Sequence, residues 1–121
     1  MAKKILIADD NPIIRKMLYR IVESQGGYDL CAEAENGFQA IALAVKHRPD
    51  LVILDMVMPV MNGIDAAREI KEILPGVPIV LFTEYADILT EPAIMKLSVD
   101  RVVSKNGGFS LLGHIRSLIS A

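Results

Sequence analysis

Five short apolar runs punctuate the chain: "KILIA" (4–8), "LCAEA" (30–34), "LVIL" (51–54), "PIVLF" (78–82) and "RVVS" (101–104). Between them the apolar residues recur at three- and four-residue spacing, the mark of helices with one buried face. Pro12 opens the first such stretch, whose Ile14, Met17, Leu18, Ile21 and Val22 share a side until Gly26–Gly27. Asn36–Gly37 predicts the next helix start, with Ala40, Ile41, Ala44 and Val45 on one face up to Pro49. Asn62 predicts the cap of a third helix carrying Ile64, Ala67, Ile70 and Leu74, and Pro75–Gly76 ends it. Pro92 is tolerable only in the first turn of a fourth helix, expected to run to about Leu97. After Gly107–Gly108 a last helix presents Leu111, Leu112, Ile115, Leu118 and Ile119.

Strands apolar on both faces and alternating with helices predict an α/β fold, a parallel sheet covered on both sides. Right-handed crossovers favour the strand order 2-1-3-4-5, giving one flavodoxin-like (βα)5 three-layer domain over residues 1–121. Such sheets bind ligands at the carboxyl ends of strands 1 and 3. The polar residues fall at that edge: Asp9 and Asp10 end strand 1, Asp55 strand 3, Thr83 strand 4 and Lys105 strand 5.

Clustered carboxylates stay ionised together only beside a cation or a basic side chain. Oxygen ligands without His or Cys suit Mg²⁺, which keeps several waters and leaves room for a phosphate oxygen. Asp55 can then act as a covalent phosphoryl acceptor while Asp9 and Asp10 hold the metal, Lys105 compensates charge and the Thr83 hydroxyl donates to a phosphoryl oxygen. Taken singly each residue has an ordinary explanation, and Asp9 or Asp10 could simply cap the helix at Pro12. Their coincidence on one predicted edge favours the chemistry.

Net charge −2, with 52% hydrophobic and 23% charged residues, excludes disorder and argues against direct nucleic-acid binding by this domain. No apolar run approaches the ~20 residues of a membrane span. Cys31, the single cysteine, can form no internal disulfide and is expected to be a buried, inert thiol, which suits the cytoplasm.

The acidic pair Asp9–Asp10, Asp55 followed by "MVMPVMNG" with Pro59 and Gly63, Thr83 and Lys105 together resemble the receiver domain of two-component response regulators, over essentially the whole chain. The resemblance implies that Asp55 takes a phosphoryl group from the phosphohistidine of a sensor histidine kinase. It also implies that Asp9 or Asp10, Asp55 and the backbone carbonyl of Val57 bind Mg²⁺, and that Thr83 and Lys105 sense the phosphoryl oxygens. The chain departs from the pattern in three places. Asn106 stands where many receivers have a cis proline, leaving the Lys105–Asn106 peptide free to be trans. Val102 replaces the usual switching aromatic, with Tyr85 the candidate substitute. Leu97–Ser98–Val99 replaces a small-glycine-small turn, so an irregular end to the fourth helix is expected.

His47 and His114 are expected on solvated helix faces, and Met56, Met58 and Met61 as packing around the Asp55 loop. Val57 and Tyr85 border the place of an attacking water, which predicts slow loss of the phosphoryl group. The expected function is a phosphorylation-controlled switch, itself no enzyme, whose output is binding. Phosphorylation-dependent homodimerisation fits this role, and "CAEAENG" and "FTEY" resemble receivers preceding a helix-turn-helix DNA-binding half, an output domain outside this chain. A haloacid-dehalogenase-like phosphatase is disfavoured because Val57 stands where its second acid belongs. A pseudo-receiver, binding partners without phosphate, is the other alternative.

Overall fold

The computed structural model describes residues 2–107 and 110–120, and its sheet follows directly from the run pattern. Strands β1 (Lys3–Ala8), β2 (Tyr28–Ala34), β3 (Leu51–Leu54), β4 (Ile79–Thr83) and β5 (Arg101–Ser104) lie parallel in the order β2-β1-β3-β4-β5. Helices α1 (Pro12–Glu23), α2 (Gly37–His47), α3 (Gly63–Ile73), α4 (Glu91–Met95) and α5 (Ser110–Leu118) connect and follow them. Gly108, expected at the entry to α5, lies outside the described residues.

Alternation along the strands divides the core into two layers. Leu6, Ala8, Val52, Leu54, Ile79 and Leu81 pack on one face against Ala40 and Ala44 of α2 and Ala66, Ala67 and Ile70 of α3. Ile5, Ile7, Leu51, Ile53, Val80 and Phe82 pack on the other against Leu18 and Val22 of α1 and Leu111 and Ile115 of α5. Small alanines let α2 and α3 approach closely. The register, Ala8↔Leu54 and Leu54↔Leu81, ends β1 and β3 level at one edge, while β4 runs two residues further to Thr83 beside Ser104 at the end of β5.

Several local expectations change in the structure. β2 begins at Tyr28, two residues before the apolar run, because strand pairing with Lys3 and Lys4 of β1 recruits Tyr28 and Asp29. α4 stops at Met95, two residues short of Leu97, and its irregular end matches the sequence reading. The α1 cap is neither aspartate: Asn11 Oδ1 accepts the Ile13 N–H at 2.9 Å, which leaves both carboxylates for other work. His114 is half-buried, its Nδ1 lying 3.1 Å from Arg101 Nη1, and His47 is also half-buried. Cys31 is half-buried rather than buried, and desolvation still pushes its thiol pKa up, which keeps it inert. Among the described residues no peptide is cis, and no helix is long and apolar enough to cross a membrane.

Candidate functional site

The buried polar or charged residues among those described are Asp9, Asp55 and Thr83, and all three stand at the carboxyl edge of the sheet. An apolar core tolerates such groups only when they are paired. Asp9 Oδ1 accepts the backbone N–H of Asn11 at 2.9 Å, and its Oδ2 lies 2.7 Å from Lys105 Nζ. Lys105 Nζ also reaches Asp55 Oδ2 at 3.3 Å. Thr83 Oγ1 accepts the Tyr85 N–H at 3.1 Å. Asp10, exposed, completes a trio in which carboxylate oxygens of Asp9, Asp10 and Asp55 lie within 4.8 Å of one another. Asp9, Asp10, Asp55 and Lys105, with Val57, Glu84 and Tyr85, line an open hollow of about 310 Å³, and Thr83 is buried next to it, bonded to the rim residue Tyr85.

Backbone bonds between neighbouring elements bring the groups together. Asp9 N donates to Ala34 O at 3.0 Å and Asp55 N to Ala8 O at 2.9 Å, so both aspartates continue the sheet by one residue. After Asp55 the loop turns sharply at Val60, a β-branched residue at φ 68°, where Met61 N donates to Pro59 O at 2.7 Å. That conformation costs about 1–3 kcal/mol in a residue without glycine's freedom. The turn carries the chain back so that Gly63 N donates to Met56 O at 2.9 Å and α3 starts directly behind Asp55. Gly37, at the start of α2, docks on the same loop through a 2.8 Å bond from its N to Met61 O. Met58 is buried in the core beneath this loop, with Met56 and Met61 packed against it, so packing accounts for the methionines.

Charge is shared unevenly here. Lys105 sits closer to Asp9 than to Asp55. Burial, followed by the charge of Asp9, raises the Asp55 pKa, and Lys105 and the Val57 N–H only partly oppose the rise. Burial also lowers the Lys105 pKa, but the hydrogen bond to Asp9 and the charges of both carboxylates outweigh it, leaving a net rise. Asp55 is therefore the under-compensated member of the cluster. An all-oxygen donor set with surplus negative charge, open to solvent on the Asp10 side, fits a hard divalent cation and disfavours zinc.

A Lys105→Met variant should accordingly lose stability at neutral pH, by about 2–4 kcal/mol, since two buried carboxylates are left facing each other. It should also bind Mg²⁺ roughly tenfold more tightly, since Asp9 Oδ2 no longer holds an ammonium. Thermal unfolding with and without Mg²⁺ checks both: the variant should melt lower without the ion and gain more from it. Equal gains in the two proteins would show that Lys105 does not compete for those oxygens.

The structure thus gathers Asp9, Asp10, Asp55 and Lys105 around the hollow as their strand-end positions predict, and buries Thr83 at the same sheet edge, bonded to Tyr85 on the rim. Val57 is half open to solvent and Tyr85 is exposed, both on the rim of the hollow. Val102 is half-buried and packs away from the hollow, against the α2–α3 core layer. The Lys105–Asn106 peptide is trans. Arg15, which sequence reasoning passed over, lies behind the acidic pair, and its place in the first turn of α1 was the only signal for it.

A family model described as response regulator receiver domain matches residues 5–115. The chain is 35% identical over 105 residues to the chemotaxis protein CheY of Halobacterium salinarum, covering 87% of this chain and 86% of that one. It is 36% identical over 106 residues to a protein-glutamate methylesterase/protein-glutamine glutaminase of Hahella chejuensis, covering 86% of this chain but 30% of that longer protein. The fold superposes with a TM-score of 0.86 on the crystal structure of response regulator protein TrrA from Thermotoga maritima in complex with Mg(2+)-BeF. That match has 32% identity and covers 97% of this chain and 99% of the other.

Proposed function

The chain belongs to the response regulator receiver domain family, and from that premise we propose that residues 1–121 form one receiver domain that is phosphorylated on Asp55 by a sensor histidine kinase. The observation that supports the assignment is that the buried polar side chains among the described residues, Asp9, Asp55 and Thr83, all stand at one edge of the sheet, the two aspartates lining a hollow in which Lys105 reaches both.

A carboxylate oxygen of Asp55 attacks phosphorus, an O–P bond forms, and the bond to the donor's imidazole nitrogen breaks. The electron pair leaves with that nitrogen, which takes a proton from solvent. Bound through Asp9, Asp10, Asp55 and the Val57 carbonyl, Mg²⁺ would neutralise phosphoryl charge. Lys105 stays within reach of Asp55 and compensates charge from the other side. Thr83 Oγ1 now accepts the Tyr85 N–H, so turning its own O–H onto a phosphoryl oxygen couples the new charge to the segment after β4. Tyr85, exposed at that segment, is the side chain proposed to move in place of the aromatic missing at Val102.

The output is altered binding, either to a separate partner, to a second copy, or to a DNA-binding output domain outside this chain, in the cytoplasm. Incubation with Mg²⁺ and acetyl phosphate, read by intact mass, tests the reading. A persistent single phosphoryl adduct supports it. Continuous release of phosphate without an adduct supports a phosphatase, and no adduct supports a pseudo-receiver.

Loss of the phosphoryl group should be slow, because Val57 offers no hydrogen bond to orient water at the hollow and the Tyr85 side chain, lining the same hollow, can crowd it. Val57→Asn, by supplying such a bond, should speed dephosphorylation by about tenfold. An unchanged decay of the purified phosphoprotein would refute that account.

A further inference from the structure

Arg15 lies in the first turns of α1, its side chain only 14% exposed, yet it does not line the acidic hollow. Its Nη1 donates to the backbone carbonyl of Asp9 at 2.7 Å. Its Nε lies 3.3 Å from Glu33 Oε1 in β2, and its Nη2 lies 3.7 Å from Glu35 Oε1 just beyond that strand. Three nitrogens of one rigid fork are thus directed at three separate oxygens, a task a flexible ammonium cannot reproduce.

The Asp9 carbonyl needs such a partner. The ladder of β1 ends at Ala8, paired with Ala34 and Leu54, so the next carbonyl has no strand to accept from. This oxygen also belongs to the rigid peptide plane that joins Asp9 to Asp10. Fixing it fixes the plane between two of the three carboxylates whose oxygens converge in the hollow. The guanidinium charge is meanwhile taken up by Glu33 and Glu35, and Asp55 feels Asp9 and Lys105 rather than Arg15. Its influence on the hollow is therefore geometric.

We propose that Arg15 is a positioning residue for the cation site: by clamping the Asp9 carbonyl from behind, it holds the Asp9–Asp10 peptide in the orientation that presents both carboxylates to a divalent ion. This rests on the metal-dependent reading above. Without the clamp the carbonyl turns toward water, the plane swings, and Asp10, exposed at the rim, leaves the cluster first.

Mg²⁺ titrations of the wild type and Arg15→Gln, followed by the ion-dependent rise in melting temperature and by calorimetry, test the clamp. The half-saturating Mg²⁺ concentration should rise about tenfold in Arg15→Gln. The rate of phosphoryl incorporation from acetyl phosphate at saturating Mg²⁺ should stay within about twofold of wild type. That split separates a positioning role from general destabilisation, which lowers the plateau without moving the midpoint. If Arg15→Gln does not fold, Arg15→Lys carries the same test, with a midpoint shifted at least about threefold. A midpoint unchanged in the folded variant, or a lowered plateau at the wild-type midpoint, overturns the proposal alone. Absence of any Mg²⁺ response in the wild type takes down the functional reading as well.

Discussion

An Asp55→Asn variant is expected to lose phosphoryl incorporation by at least about 100-fold while becoming more stable at neutral pH. The chemical half follows because the amide oxygen carries no charge and is a poor nucleophile toward phosphorus. No second carboxylate substitutes, since Asp9 is engaged by Lys105 and Asn11 and Asp10 stands exposed at the rim.

The stability half follows from the charge distribution. Burial and the neighbouring Asp9 push the Asp55 pKa above its ordinary 3.8, so the folded chain binds this proton more tightly than the unfolded one. Where the native state holds more protons, stability falls as pH rises. Wild-type stability should therefore decline from pH 3.8 upward to the raised native value of this group and be flat above it. Asn removes that decline and relieves the repulsion with Asp9, gaining roughly 1 kcal/mol at pH 7. Denaturant unfolding across pH, alongside intact mass after acetyl phosphate treatment, reads both halves. An adduct of full yield in the variant would place the acceptor elsewhere, and a variant less stable at pH 7 than the wild type would refute the charge argument.

The second large effect is expected at Gly63. A Cβ placed there would lie 1.9 Å from the Asp55 carbonyl oxygen and 2.9 Å from its carbonyl carbon, so the backbone of Asp55 would have to move. No flexible side chain can yield instead. Gly63→Ala should destabilise the domain by roughly 3–5 kcal/mol, well beyond ordinary overpacking, and displace Asp55 from Lys105. Gly113, inside α5 with nothing within 4 Å of where a Cβ would stand, provides the contrast. Gly113→Ala should stabilise by about 0.5–1 kcal/mol, the helix-propensity difference alone. Urea unfolding of the two variants decides the matter, and similar values for both would show that the close approach at Gly63 carries no weight.

Gly63 also shows where the sequence stops being legible. The motif that contains it points to a helix start after Asn62, and Asn62 does cap α3, its Oδ1 accepting the Asp65 N–H at 2.9 Å. Nothing local says that the glycine is needed because Asp55, well before it in the chain, turns its carbonyl against it. Gly37 is the same case: Asn36 caps α2 as its position predicts, but the requirement for glycine beside it comes from Met61 O, 2.6 Å from where a Cβ would be.

The amino-acid sequence by itself determined the five strands, the helical faces, the order of the sheet and the edge on which the polar residues meet, because these depend on periodicity and caps that act over a few residues. Only the tertiary structure decided which acid Lys105 favours, that Asn11 rather than an aspartate caps α1, that His114 is held by Arg101, and that Arg15 reaches back to Asp9. Each of those depends on distances of a few tenths of an ångström between groups whose separation the string of letters does not give. Hydrophobic burial is non-directional and tolerant, so its pattern survives in the one-dimensional string, whereas hydrogen bonds and charge pairs are short-ranged and exist only once the backbone has been placed.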